Sequence, residues 1–518
     1  MTPIHIPKFR TAQTVLLALL IALATSGLGA GEPVVSVTGG QIRGVRLEDG
    51  TSAAFRGVPF AAPPVGDLRW REPMPVKPWE GVREATRTGP PAAQIPLGWN
   101  DADAKAGSED CLYLDVWTPA PAPGGKLPVM VWIHGGANVA GAGGFDPLYD
   151  GRSLIRQGVV LVVVEYRLGI LGFFSHPLLS RESPHRASGN YGLMDQAAAL
   201  TWVHDNISQF GGDPGNVTLF GQSAGSMDVL SLMASPLARG LFHRAIAESG
   251  PTMSFVSQPE AEKAGIRAAE SAGAPSQGTL AYLRSLPTDT VLKKMPCMMA
   301  GTTDGWVLPE NPGLAFRQGH EARVPLIIGS AAIEFPAVGD PAALKTSIRE
   351  FFGDLSPRAE SLYGISGGGP SASDPLYGDA ADQWGSDLFR CRAIVQGEWH
   401  TDSGNPTWEY EFDRAIPPKA HTGHSSDLPY VFGNLNRTGP GMTGDFEDAD
   451  RGLSAAIQGY WTRFARTGDP NGAGAVPWPA YDGKARKYLI FGTSGEVRAS
   501  ENERGPVADL FREAMGRQ

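Results

Sequence analysis

Ser223 stands at the centre of residues 220–226, FGQSAGS. A serine flanked by glycines in a G-x-S-x-G frame has the residue type and spacing of a nucleophile that attacks a carbonyl carbon. With 66 glycines in 518 residues, such a frame is expected on the order of once by chance. A second one does occur, at residues 364–368 around Ser366. Their surroundings separate them. Residues 216–220 (NVTLF) read as a strand, Gly221 begins a turn, and residues 224–233 (AGSMDVLSLM) have helical apolar spacing that stops before Pro236. Ser223 is therefore expected on a sharp strand-to-helix turn, where the hydroxyl is exposed above a sheet edge. The next backbone N–H and the helix N-terminus can then stabilise developing negative charge. Ser366 has no strand before it and only GGGPSASDP around and after it, so it reads as loop.

A serine needs a base, and the base needs an orienting acid. On a turn of this kind the order along the chain is serine, acid, histidine. Of the ten histidines, His400, His421 and His424 follow a plausible acid downstream of Ser223. Glu334 lies just after residues 324–328 (VPLII), a strand run, and would project from the C-terminal edge of a sheet. His421 and His424 share KAHTGHSSDLPYVFG after the strand run 408–412, and spacing alone does not separate them. Oxyanion donors should come from a glycine-rich turn after an early strand, and His134-Gly135-Gly136-Ala137 directly follows 128–133 (PVMVWI).

These side chains require a scaffold. Residues 128–133 and 159–164 (VVLVVV) have the length and β-branched content of strands buried on both faces, which implies a central parallel sheet. Helical patterns at 194–206 and 455–465 alternate with further strand runs at 217–220, 324–328 and 408–412. That alternation indicates an α/β class. No Pro/Ser-rich or charged linker divides the chain, so residues 31–518 are expected to form a single domain.

Composition narrows the partners. The chain is 42% hydrophobic and 19% charged, which suits a large buried core. A net charge of -10 with no long basic run argues against nucleic acid or an anionic membrane surface as main partner. Lys8 and Arg10 precede the apolar residues 15–24 (VLLALLIALA) and then small residues to Ala30, the order of a secretory signal peptide. Residues 1–30 are expected to be removed between Ala24 and Ala30, leaving an exported protein, periplasmic or secreted; the alternative is an uncleaved N-terminal anchor. No later stretch is apolar and long enough to span a bilayer. Export would put Cys111, Cys297 and Cys391 in an oxidising compartment, where an odd count leaves at least one unpaired. A G-x-G-x-x-G match at residues 439–444 contains Pro440 and follows no strand, so it reads as loop, and neither a cofactor nor a metal is expected.

The residues resemble the type B carboxylesterase and cholinesterase family from about Val34 to Tyr481. The resemblance is carried by FRGVPFAAPPVGDLRW (55–70), SEDCLYLDVW (108–117), WIHGGA (132–137), EYRLGILGFF (165–174), GNYGLMDQ (189–196), FGGDPGNVTLFGQSAG (210–225) and HSSDLPYVFG (424–433). It implies an α/β-hydrolase fold, a mostly parallel central sheet flanked by helices with large loop and helical excursions. It also implies cleavage of carboxylic esters through an acyl-enzyme, with a small-molecule ester and water as the reacting partners. By motif, Ser223 carries over as nucleophile, Glu334 as acid and His424, three residues before Asp427, as base in preference to His421. The backbone N–H groups of Gly136, Ala137 and Ala224 carry over as the oxyanion hole, and Arg69 and Glu109 as a structural ion pair. Two departures matter. Gln222 stands where many relatives have glutamate, which disfavours cationic choline-like substrates, and the usual partner of Cys111 is missing from TGPPAAQ. Met295 to Ala300, with Cys297, Met298 and Met299, lies roughly where cholinesterases line the acyl pocket and would form an adaptable thioether wall.

Two other functions are compatible with the same features: a specialist hydrolase of one natural or xenobiotic ester, carbamate or amide, and a non-catalytic binding domain. The second usually lacks the serine, whereas all three triad positions are filled here. Because a histidine base must be neutral, activity is expected to fall as pH drops through about 6 to 7. A pH–rate profile flat from acid to alkaline conditions would contradict a histidine base.

Overall fold

The structure, a computed structural model, describes residues 31–252, 255–295, 301–335, 341–367, 375–416, 419, 421–436 and 444–517. The leader at 1–30, the pocket residues Cys297, Met298 and Met299, and most of the 439–444 glycine match lie outside the described residues.

Eleven strands form the main sheet. In chain order they are β1 (Val45–Arg46), β2 (Ala53–Pro59), β3 (Tyr113–Thr118), β4 (Leu127–Ile133), β5 (Val160–Val164), β6 (Gly212–Gln222), β7 (Arg244–Glu248), β8 (Leu326–Ala331), β9 (Thr407–Phe412), β10 (Lys487–Phe491) and β11 (Val497–Glu501). Their spatial order is β11-β10-β9-β8-β7-β6-β4-β5-β3-β2-β1. From β5 to β10 all neighbours run parallel, while β1, β2, β3 and β11 add antiparallel edges. The sheet is thus the mostly parallel one expected, with both edges of opposite sense. A separate small sheet joins Val34–Val37, Gly40–Arg43 and Val82–Glu84.

The strand residues alternate between two cores. Val129, Val131 and Ile133 of β4 pack into one cluster, Met130 and Trp132 into another, and all five are fully buried. This is the period of two expected when both faces of a strand are covered. The first face is covered by α1 (Tyr191–Asn206), α2 (Ala224–Ala234) and the long α3 (Pro375–Asp402). The second is covered by α4 (Leu428–Phe432) and α5 (Asp448–Thr467), whose Trp461 and Phe464 reach the sheet.

Element bounds differ from the sequence reading for local reasons. β8 begins at Leu326 instead of 324, because Pro325 has no N–H for the ladder. Conversely, α5 extends to Asp448, since Glu447 and Asp450 form a capping box at its start. Cys111 and Cys391 are buried and unpaired. Arg69 pairs with Glu109 and donates to the carbonyls of Leu283 and Leu286 at 3.0 and 2.8 Å, which fastens the N-terminal segment to the C-terminal end of the helix Thr279–Ser285.

The turn between β6 and α2 packs closely against the end of β4. Ser223 has φ 58° and ψ -125°, a combination that costs about 1–3 kcal/mol for a residue with a side chain. A methyl group on Gly225 would stand 2.1 Å from the carbonyl oxygen of Ile133 and 2.7 Å from that of His134. Gly225→Ala is therefore expected to destabilise the protein by about 1–3 kcal/mol and to reduce activity, as read from urea unfolding and ester turnover. Unchanged stability and turnover would mean that the elbow tolerates displacement from β4.

Candidate active site

Three side chains meet above the C-terminal ends of the parallel strands, the edge at which open α/β sheets bind ligands. Ser223 follows β6 directly, Glu334 lies just beyond β8, and His424 lies on the loop between β9 and α4. His424 Nε2 is 2.6 Å from Ser223 Oγ, and His424 Nδ1 is 2.5 Å from Glu334 Oε2. The ring is thus held between a hydroxyl and a carboxylate, with the Nδ1 proton directed at Glu334 and Nε2 free to accept from the serine.

Backbone hydrogen bonds keep these loops together. Ser223 N–H donates to Glu248 C=O at 2.9 Å, and His424 N–H donates to Glu334 C=O at 3.1 Å. Ile333 N–H donates to Thr422 Oγ1 at 2.8 Å, and Glu334 Oε1 accepts from Ala331 N–H at 2.8 Å. Phe335 and Phe389 pack against the imidazole, with ring centroids 4.3 and 5.2 Å away. Gln222 is buried and its Nε2 sits 3.3 Å from His424 Nε2.

The glycine turn after β4 approaches the serine from the other side. Gly136 has φ 109° and a Cβ there would meet Ala140 O at 1.9 Å, so only glycine fits. Among the described residues, no turn or loop acceptor takes the N–H of Gly136, Ala137 or Ala224. Such unused donors can bind an oxyanion. His134 supports the turn from beneath. Burial lowers its pKa to about 4, so the ring is neutral, and Nδ1 lies 2.8 Å from Gly135 O.

The remaining histidines are placed elsewhere. His421 is exposed, and His400 is fully buried between Glu321 Oε1 at 2.7 Å and Val324 O at 2.8 Å. Ser366 is exposed in a loop. Sequence reasoning did not single out Phe335, Phe389 or Glu248; AIAESGP around Glu248 contains no pattern that points to a site.

A cleft of about 1080 Å³ opens over Ser223 and His424. Its walls are largely apolar, and Leu97, Trp99, Phe145 and Phe335, exposed by 46, 49, 40 and 47%, all lie on it. Asp103 and Asp146 stand on the same wall, and burial together with the charge of Asp146 raises the pKa of Asp103 to about 6. Gln222 also lines the cleft. Among the described residues no group of histidine, cysteine and acidic side chains could hold a metal ion.

Comparison with known proteins gives this geometry its context. The sequence profile of the Carboxylesterase family matches residues 31–351 and 371–506. The chain is 37% identical to a fumonisin B1 esterase of Sphingopyxis macrogoltabida, over 88% of this chain and 86% of that one. It is 36% identical to a para-nitrobenzyl esterase of Bacillus subtilis (strain 168), over 88% and 94% of the two chains. Among solved structures, a PNB esterase superposes with a TM-score of 0.81 at 33% identity, covering 92% of this chain and 99% of its own. With sequence, fold and topology in agreement across nearly the whole length, the chain belongs to the carboxylesterase family and is a carboxylic ester hydrolase of the α/β-hydrolase fold.

Proposed function

We propose that Ser223 is the nucleophile, His424 the general base and Glu334 the orienting acid of a serine carboxylesterase. The observation that carries this reading is the unbroken series Ser223 Oγ, His424 and Glu334 at 2.6 and 2.5 Å on the floor of the cleft. Neutral His424 takes the serine proton through Nε2 as Oγ attacks the ester carbonyl, and Glu334 fixes the tautomer and stabilises the imidazolium. The N–H groups of Gly136, Ala137 and Ala224 receive the tetrahedral oxyanion. His424 then returns the proton to the departing alcohol, leaving Ser223 acylated. Water repeats the sequence: it loses a proton to His424, attacks the acyl carbon and releases the acid.

The size and apolar walls of the cleft favour esters with bulky apolar groups over acetate esters, since each buried methylene contributes about 0.8 kcal/mol. The relatives named for fumonisin B1 and para-nitrobenzyl esters make both ester types candidate substrates for this chain. No helix among the described residues is long and apolar enough to cross a membrane. We assign residues 1–30 as an export leader on their charge and apolar order, and residues 31–518 as one catalytic domain on the continuity of the main sheet.

Hydrolysis of p-nitrophenyl acetate, butyrate and octanoate tests this reading. kcat/KM is expected to rise with acyl length, Ser223→Ala to lower turnover by roughly 10⁴ to 10⁶, and Ser366→Ala to leave it unchanged. Retained activity in Ser223→Ala would refute the assignment. Labelling of Ser223 by an organophosphonate without turnover of any of the three esters would instead indicate a specialist whose cleft rejects simple esters.

A further inference from the structure

Ala137 and Asn138 follow Gly136 with φ 56° and 57°. Left-handed backbone at successive residues with side chains is disfavoured, most of all at the alanine, so the turn needs support from its surroundings. Within the turn, Val139 and Ala140 N–H both donate to Gly136 C=O at 3.0 Å. The remaining support comes from buried side chains to which the reaction as written gives no task.

The Asn138 amide is buried and engaged at both ends. Its Nδ2 donates to Asp228 Oδ1 at 2.9 Å, and its Oδ1 lies 3.1 Å from the Tyr166 hydroxyl, which is shared with His134 C=O at 2.8 Å. Gly169 N–H donates to the Asn138 carbonyl at 2.6 Å. Asp228 is buried on α2, one helical turn beyond Ala224, and its other oxygen accepts from Gln196 Nε2 of α1 at 2.6 Å. The two elements that carry the oxyanion donors are thereby joined side chain to side chain: the turn after β4 with Gly136 and Ala137, and the start of the serine helix with Ala224. Burial acts against the charge of Asp228, and the amides of Gln196 and Asn138 are what oppose it. An apolar side chain of the same size would fill this place without that cost, so packing alone does not account for an acid here.

We propose that Asn138 and Asp228 form a clamp that sets the spacing of the oxyanion donors, holding the N–H groups of Gly136 and Ala137 in line with that of Ala224. The carbonyl oxygen of an ester gains its full charge only in the tetrahedral state, so donors slightly out of place lose most of their effect there and little in the bound substrate. Asn138 and Asp228 are positioning residues, acting on the oxyanion through the backbone that they hold.

The clamp rests on those three N–H groups being the oxyanion hole, and the experiment tests that reading separately. Asn138→Gly removes one side of the clamp without opposing the positive φ, and Asp228→Ala removes the other. Each is expected to lower kcat on p-nitrophenyl butyrate by roughly ten- to a hundredfold while KM changes by less than about twofold. A long-chain alkyl trifluoromethyl ketone reports on the oxyanion directly: Ser223 Oγ adds to its carbonyl carbon, the serine proton passes to His424, and the former carbonyl oxygen carries the charge. Its inhibition constant should rise in each variant by the same factor as kcat/KM falls, whereas loss of folded enzyme alone would leave that constant unchanged. The double variant should fall no further than the weaker single one, since both changes open the same clamp. Asp228→Asn should keep most of the activity, because its oxygen can still accept from Asn138 while Gln196 turns its amide to offer Oε1, which has no partner among the described residues. Full kcat in Asn138→Gly, an unchanged inhibition constant in the single variants, losses that multiply in the double variant, or Asp228→Asn as impaired as Asp228→Ala would each overturn the clamp. A trifluoromethyl ketone that binds the wild type no more tightly than the corresponding methyl ketone would contradict the oxyanion reading itself, and the clamp with it.

Discussion

Ser223 holds φ 58° and ψ -125°, and most of what surrounds it keeps a residue with a side chain in that conformation. The strain is offset by contacts that exist only when β4, β6 and β7 are in register. Gly225 lies under the carbonyls of β4, the Ser223 N–H is bound by Glu248 at the end of β7, and a Cβ on Gly250 would meet Ser223 O at 2.0 Å. The Ser223 hydroxyl raised on this turn opens onto the cleft. The parallel sheet thus raises the Ser223 hydroxyl to the cleft, as well as forming the core of the protein.

Electrostatics around the turn follow from the same burial. Glu334 and Asp427 are buried close to His424, and in the proposed reaction the imidazolium is the cation that they can meet. In the proposed mechanism, a negative field prepared in this way would favour a charged histidine without reorganisation at the moment of reaction. The oxyanion side has the opposite character. There burial keeps His134 neutral, and the backbone of Gly136 and Ala137 lines the cleft beside Ser223.

Much of this was legible in the residues. Valine-rich runs announced β4 and β5, and the strand before and helix after Ser223 distinguished it from Ser366, which the structure leaves on a surface loop. Spacing did not distinguish His421 from His424. The difference lies in long-range bonds, Ile333 to Thr422 and His424 to Glu334, that turn only the second ring inwards. The 28-residue helix α3 escaped notice because it has no clean apolar stripe. Asp387, Gln396 and His400 on it are buried against polar partners, which breaks the period that marks a surface helix. The antiparallel edges were invisible for a related reason: short strands such as Val45–Arg46 owe their pairing to neighbours distant in sequence.

The central claim is that acyl transfer passes through Ser223. Rapid acid quenching during turnover of p-nitrophenyl butyrate, followed by peptide mass spectrometry, tests it directly. A butyryl group on the peptide containing Ser223, accumulating with the burst of p-nitrophenol and lost as turnover ends, is the predicted result. A burst with the acyl group on any other residue would contradict the account.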